Sequence, residues 1–148
     1  IHGVGEICWK SMQQWLSDDG VDLSAHPALE VREYIYDMAA VMRAADLVIC
    51  RAGASTLSEL TALGVPAILV PSPNVTNHHQ EKNAALLGDH GAALVLGEEG
   101  LDGKKLFAAA AGLLKDDARM AKMADSMAQL GIRDATERIY RTVMALVK

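Results

Sequence analysis

Asp46-Leu47-Val48-Ile49-Cys50-Arg51-Ala52-Gly53-Ala54-Ser55-Thr56-Leu57-Ser58-Glu59-Leu60, continued by Gly64-Val65-Pro66-Ala67-Ile68-Leu69-Val70-Pro71, is the stretch on which the fold turns. Residues 46–50 form a β-branched apolar run typical of a strand buried on both faces, and residues 67–71 form a second apolar run bounded by prolines. Between them, Thr56-Leu57-Ser58-Glu59 fits a capping box, a hydroxyl at the cap with a carboxylate three residues on. Leu57, Leu60 and Leu63 add a packed stripe, so the pattern predicts a helix over residues 56–63, stopped by Gly64 and Pro66. A strand, helix, strand unit of this length is expected to be parallel and right-handed, which places the chain in the α/β class.

The same alternation extends in both directions. Towards the amino end, Ile1 to Gly5 reads as the end of a strand. Ile7, Trp9, Met12, Trp15 and Leu16 then fall at the three- and four-residue spacings of an amphipathic helix over residues 6–18. Leu29, Val31, Tyr34 and Ile35 predict a strand over 29–35, and Asp37 stands where it can cap a helix of residues 38–44. Towards the carboxyl end the pattern predicts a helix near 78–88, a strand at 92–96, and helices over 102–114, 116–130 and 134–147. Met120, Met123 and Met127 recur at helical spacing and are read as core. The expected architecture is a Rossmann-like parallel sheet flanked by helices.

Composition bounds the function. A chain of 148 residues, 51% apolar and 22% charged, corresponds to one soluble domain with a core of its own. Fourteen Lys and Arg against nineteen Asp and Glu leave a formal charge of −5, the wrong sign for affinity built on nucleic-acid phosphates. Cys8 and Cys50 each sit in an apolar run with no second thiol nearby, which predicts buried, reduced thiols in a cytosolic setting. No run of 18 apolar residues occurs, and the amino end carries neither a basic nor an apolar leader region. His78 and His79 are adjacent and project to different faces of a helix, and His2, His26 and His90 are scattered, so neither a metal site nor a cofactor is expected. Gly3-Val4-Gly5 begins like a dinucleotide fingerprint but lacks its third glycine, and gives no support for NAD.

The turn Cys50-Arg51-Ala52-Gly53-Ala54-Ser55-Thr56 carries the chemistry. Where a buried strand gives way to a helix, free backbone N–H groups and the helix dipole form an anion site that needs no cation. In an open α/β sheet the ligand lies beyond the carboxyl ends of the strands, where this turn, the Tyr34–Met38 turn and the Ser72–Asn83 segment are all expected. Glu59 has two readings: a cap returning to the Thr56 N–H, or an acceptor for the vicinal hydroxyls of a ribose attached to the phosphate. Gln80 and Asn83, at i and i+3, share a helix face and are either a solvated amide pair or a set of donors and acceptors for sugar hydroxyls. No nucleophile and base pair stands out, and no catalytic residue is assigned.

Beyond those readings, the motifs resemble a known family. Tyr34-Ile35-Tyr36-Asp37-Met38-Ala39, the 45–60 segment, Gly64 to Pro71 and His79-Gln80-Glu81-Lys82-Asn83-Ala84, in this order, resemble the carboxy-terminal, donor-binding half of the MurG family. These bacterial two-domain transferases of GT-B type move N-acetylglucosamine from UDP-N-acetylglucosamine onto an undecaprenyl-linked acceptor to make lipid II. The resemblance covers residues 34–96 and continues through the terminal helices. It implies that main-chain groups of Ile35 meet the uracil edge, that the Ser55 and Thr56 amides hold the diphosphate, and that Glu59 takes the ribose hydroxyls. It further implies that the Ala54 amide and the Gln80 and Asn83 side chains contact the sugar. The expected setting is peripheral, on the cytoplasmic face of the plasma membrane, with the acceptor reached through an amino-terminal domain on which residues 134–148 pack. Residues 1–148 are then a partial UDP-sugar-binding domain truncated at the amino end, from which no transfer is expected in isolation, and self-association is possible at an unpaired sheet edge.

Other readings compete. A stand-alone nucleotide-sugar subunit of a two-chain N-acetylglucosamine transferase would open with Met and a full strand. A UDP-N-acetylglucosamine epimerase or a macrolide-type glycosyltransferase shares the architecture, but the 79–84 segment favours the lipid-linked transferase. A flavodoxin-like signalling domain would need an acidic cluster at the first strand end, where only Asp46 begins a strand.

Overall fold

Ala67, Ile68 and Leu69 are all fully buried, and because successive side chains of a strand point to opposite faces, this strand must be covered on both sides. The computed structural model describes residues 1–147 and supplies that cover with helices. The chain divides into two units, residues 1–38 and the remainder from Ala39.

The first unit is a small βαβ element. Strands β1 (His2–Gly3) and β2 (Val31–Arg32) pair in parallel, with His2 opposite Val31 and Gly3 opposite Arg32, and helix α1 (Glu6–Asp18) lies between them in sequence. Bonds from Val4 N–H to the Arg32 carbonyl and from Gly5 N–H to the Glu33 carbonyl continue the pairing, at 3.0 and 2.8 Å. The strand expected over 29–35 is therefore shorter, and the chain turns at Tyr36-Asp37. Helix α1 has the predicted bounds, with Trp9, Met12 and Leu16 as its half-buried stripe. Cys8 falls beside that stripe and is exposed, which corrects the expectation of a buried thiol. Asp37 receives Arg32 Nη1 at 3.2 Å, and Arg32 also holds Glu30 at 2.6 Å; the Glu30 bond, chiefly, raises the guanidinium pKa.

Helix α2 (Met38–Ala44), all but its first residue in the second unit, leads into the parallel sheet β3 (Val48–Cys50), β4 (Ala67–Leu69) and β5 (Ala93–Val95), in that spatial order. Ile49, Ile68 and Leu94 share a register row. The connections run through α3 (Ala54–Leu63) and α4 (His79–Asp89), and α5 (Gly103–Leu114), α6 (Asp117–Gln129) and α7 (Ala135–Leu146) follow. Ala67 and Leu69 face a core built with Leu57 and Leu60 of α3, Ala84 and Leu87 of α4, and Met127 of α6. Ile68 faces the opposite core, with Leu113 of α5 and Met123 of α6. Met120 packs against this second core, so the methionine stripe is structural.

Ile49 departs from the expectation of a strand buried on both faces, being 44% exposed. It shares its face with Ile68, but β3 is an edge of this sheet, and the core that α5 and α6 build on that face takes in Leu47, Ile68 and Leu94 and leaves Ile49 out. Cys50, on the other face, is half-buried, and burial pushes its thiol up to about 11.

Two glycines fix the seam between α3 and α6. Gly64 ends α3 in the left-handed conformation, φ 71°, its N–H closing on the Leu60 carbonyl at 2.8 Å. Gly131, just beyond α6, lies directly on the backbone of Thr61: a Cβ there would stand 2.9 Å from the Thr61 carbonyl carbon and closer still to its oxygen.

Candidate functional site

Helix α3 begins at Ala54, two residues before the start expected from the capping box. Gly53 is the N-cap, in extended conformation (φ −71°, ψ 139°), and no side chain caps the helix. Ala54, Ser55 and Thr56 thus occupy the first turn, Thr56 is no longer at the cap, and Glu59 lies a turn deeper, so the Thr56–Glu59 capping box does not form. The first intrahelical bond runs from Leu57 N–H to the Gly53 carbonyl at 3.0 Å. The amides of Ala54, Ser55 and Thr56 precede it and are the donors that a helix start leaves without an internal partner. These are three amides in a row, backed by the dipole and immediately after the carboxyl end of β3, where an anion is stabilised.

Glu59 is exposed and makes no hydrogen bond among the described residues. It follows Ser55 by four and Thr56 by three, on the same side of α3. With its capping role gone, its oxygens are free to accept from a ligand.

Gln80 and Asn83 are not a solvated pair. Gln80 Oε1 accepts the Ser72 N–H at 2.9 Å, and Asn83 Nδ2 donates to the Ala52 carbonyl at 3.1 Å. Both residues are half-buried, and together they tie α4 to the chain beyond β4 and to the residue that precedes Gly53. Each keeps one group for a ligand, the amide NH2 of Gln80 and the amide oxygen of Asn83.

The approach to α4 is conformationally costly. Asn77 and His78 are consecutive non-glycine residues in the left-handed region, φ 57° and 51°, worth about 1–2 kcal/mol each. The turn is held by His79 Nδ1 at 2.9 Å from the Thr76 carbonyl and by His78 Nδ1 at 3.3 Å from Glu81.

Arg51 closes the other side of the crevice. From just after β3, its Nη1 reaches the Val70 carbonyl just after β4 (3.1 Å) and Glu98 Oε2 in the loop after β5 (2.6 Å). That hydrogen bond holds the Glu98 carboxyl below the usual glutamate range. Sequence reading missed this contact, because an arginine and a glutamate 47 residues apart carry no local signature.

Of the residues expected at the site, Ala54, Ser55, Thr56, Glu59, Gln80 and Asn83 belong to the second unit, and its fold gathers the segments that carry them at the carboxyl ends of β3 and β4. Ile35 belongs to the first unit, in the turn after β2, half-buried with its side chain against Gly3, while the neighbouring rings of Tyr34 and Tyr36 are exposed and pair with each other at a centroid distance of 4.9 Å. A cavity of about 640 Å³ lies elsewhere, lined by Gly88, Asp89 and Gly91 before β5 and by Arg119, Lys122 and Met123 of α6. It runs along β5 as well, and none of the residues expected at the site lines it.

Comparison with known proteins follows this geometry. The description "Glycosyltransferase family 28 C-terminal domain" matches residues 1–139. A protein of Acetivibrio thermocellus, named UDP-N-acetylglucosamine–N-acetylmuramyl-(pentapeptide) pyrophosphoryl-undecaprenol N-acetylglucosamine transferase, is 50% identical over 122 residues, 82% of this chain and 33% of its own length. A protein of the same name from Salinibacter ruber is 46% identical over 144 residues, 97% of this chain and 39% of its own. The crystal structure of Acinetobacter baumannii MurG superposes with a TM-score of 0.70 at 32% identity, over 78% of this chain and 35% of that one. The chain therefore spans between 33% and 39% of the length of these two sequence relatives.

Proposed function

Because the chain belongs to the glycosyltransferase family 28 C-terminal domain, we propose that it is the donor-binding part of the enzyme that moves N-acetylglucosamine from its UDP carrier onto the undecaprenyl-linked muramoyl pentapeptide, converting lipid I to lipid II. One observation carries this reading. Three unpaired amides at the start of α3 stand in a turn anchored by Asn83, with an unpartnered carboxylate one helical turn further on. The Ser55 and Thr56 amides take the diphosphate, Glu59 takes the ribose hydroxyls, and the Ala54 amide, Gln80 and Asn83 face the sugar. The main-chain groups of Ile35 are proposed to read the uracil.

The chemistry assigned to this chain is binding and leaving-group stabilisation. As the sugar departs, charge builds on the UDP diphosphate, and amides already aimed at it stabilise that charge without reorganising. A base for the acceptor hydroxyl and an acceptor site are assigned to no residue of this chain, so isolated residues 1–148 are not expected to transfer sugar. The lipid-linked acceptor places the work at the cytoplasmic membrane face; no helix among the described residues is long and apolar enough to cross a membrane. Ile139, Tyr140, Val143 and Met144 form an exposed apolar stripe on α7, each at least half exposed, which we assign to packing on the enzyme's other domain.

Calorimetric titration of the intact protein with UDP, GDP and UDP-N-acetylglucosamine tests the reading. UDP is expected to bind in preference to GDP, and equal binding of the two nucleotides overturns it. An Ala54→Pro variant refines the assignment. Position 54 is the first of α3, where proline fits and the lost N–H has no internal partner, and the extended Gly53 before it suits a following proline. Helix stability should hold while UDP-N-acetylglucosamine binds about fivefold more weakly, the worth of one neutral hydrogen bond of about 1 kcal/mol, and UDP binds as before.

A further inference from the structure

We propose that Arg51 and Glu98 act as a positioning pair for the anion turn, a role that rests on the donor-site reading and adds to it two residues on the far side of the crevice. The guanidinium spans the carboxyl ends of all three strands of the sheet, bonding the Val70 carbonyl after β4 and Glu98 after β5 from its place after β3. Two residues on, the chain enters the Gly53 turn. Ala52 between them is fully buried and its carbonyl is held by Asn83. The turn therefore has two anchors, the Asn83 amide on the α4 side and the Arg51 guanidinium on the β4 and β5 side. Gly53 itself is half-buried, and a Cβ there would meet nothing within 4 Å, so no side chain presses on the turn from that direction.

Both partners are substantially exposed, with side-chain exposures of 51% and 41%. An ion pair of that kind adds little to global stability. Its effect should appear in how well the three amides are aimed, and so in diphosphate binding rather than in unfolding.

The acceptor on Glu98 separates positioning from simple electrostatics. If Glu98 matters as a hydrogen-bond acceptor for Arg51, glutamine preserves its part and alanine removes it. If only the local field matters, removing the carboxylate by either substitution strengthens the binding of an anion.

The experiment compares Arg51→Ala, Glu98→Ala and Glu98→Gln in the intact protein, measuring UDP and uridine dissociation constants and the melting temperature. Arg51→Ala and Glu98→Ala should each weaken UDP by about tenfold, the scale of one charge-assisted bond, with uridine binding and melting temperature unchanged. Glu98→Gln should stay within about twofold of the unaltered protein, and the Arg51→Ala/Glu98→Ala double variant should be no weaker than either single one. Tighter or unchanged UDP binding in Glu98→Ala overturns the pairing. A parallel loss of UDP binding, uridine binding and thermal stability overturns it too, by making the contact merely structural. If the unaltered protein binds no UDP, the donor-site reading falls and the pair's role with it; equal UDP binding by the unaltered protein and Arg51→Ala removes the pair alone.

Discussion

Alanine at Glu59 is expected to weaken UDP binding by about 5- to 150-fold, the 1–3 kcal/mol that follows from stranding hydroxyls which had a charged acceptor. The same substitution should leave the melting temperature where it was. Had the capping box formed, losing its carboxylate would have loosened the start of α3, but Gly53 is the N-cap and no side chain caps this helix. Deoxyuridine diphosphates lacking one pentose hydroxyl supply the complementary half of a double-mutant cycle. They should bind the unaltered protein more weakly than UDP, and the Glu59→Ala protein with little further loss. An unchanged UDP affinity, or a fall in melting temperature that accounts for the weakened binding, would remove Glu59 from the donor site.

The second large effect is structural. Gly131→Ala is expected to destabilise the fold by about 2–4 kcal/mol, because the new methyl group would meet backbone, which cannot swing aside as a side-chain tip can. The ideal Cβ position is 2.9 Å from the Thr61 carbonyl carbon and 3.2 Å from the Ala62 nitrogen, so α3 and the end of α6 would have to separate. Gly112, inside α5 with nothing within 4 Å of its Cβ position, is the control. Alanine there should stabilise by about 0.5–1 kcal/mol through helix propensity. Chemical denaturation of both variants checks the pair. Equal stability of Gly131→Ala and the parent would show that the seam yields cheaply. Since the displaced helix is the one whose first turn holds the free amides, UDP binding should decline with stability in Gly131→Ala and remain unaltered in Gly112→Ala.

The fold was largely legible because its signals are local. The helix over 6–18 and the three carboxy-terminal helices were readable to within a residue or two from apolar spacing, and the strand, helix, strand unit from two β-branched runs around Gly53 and Pro66. The start of α3 was misread for an equally local reason. Thr56 and Glu59 carry a side-chain signature, whereas Gly53 caps the helix with its backbone conformation alone and leaves no mark on the residues after it. What lay beyond local pattern was partnership. Gln80 and Asn83 were recognisable as amides on one face, but that their other ends hold Ser72 and Ala52 depends on which loops the sheet brings together. The exposure of Cys8 likewise depends on which side of α1 meets other groups, which an amphipathic pattern with apolar residues on both sides of the stripe does not decide.

That exposure gives this chain a built-in handle for spectroscopy. Of its two thiols, one is open to solvent and the other is half-buried with its ionisation pushed to about 11, so a maleimide dye at neutral pH should attach once, at Cys8. A fluorophore placed there without mutagenesis rides on α1, remote in sequence from the amides at residues 54–56, and could report nucleotide titrations while the binding residues keep their natural side chains.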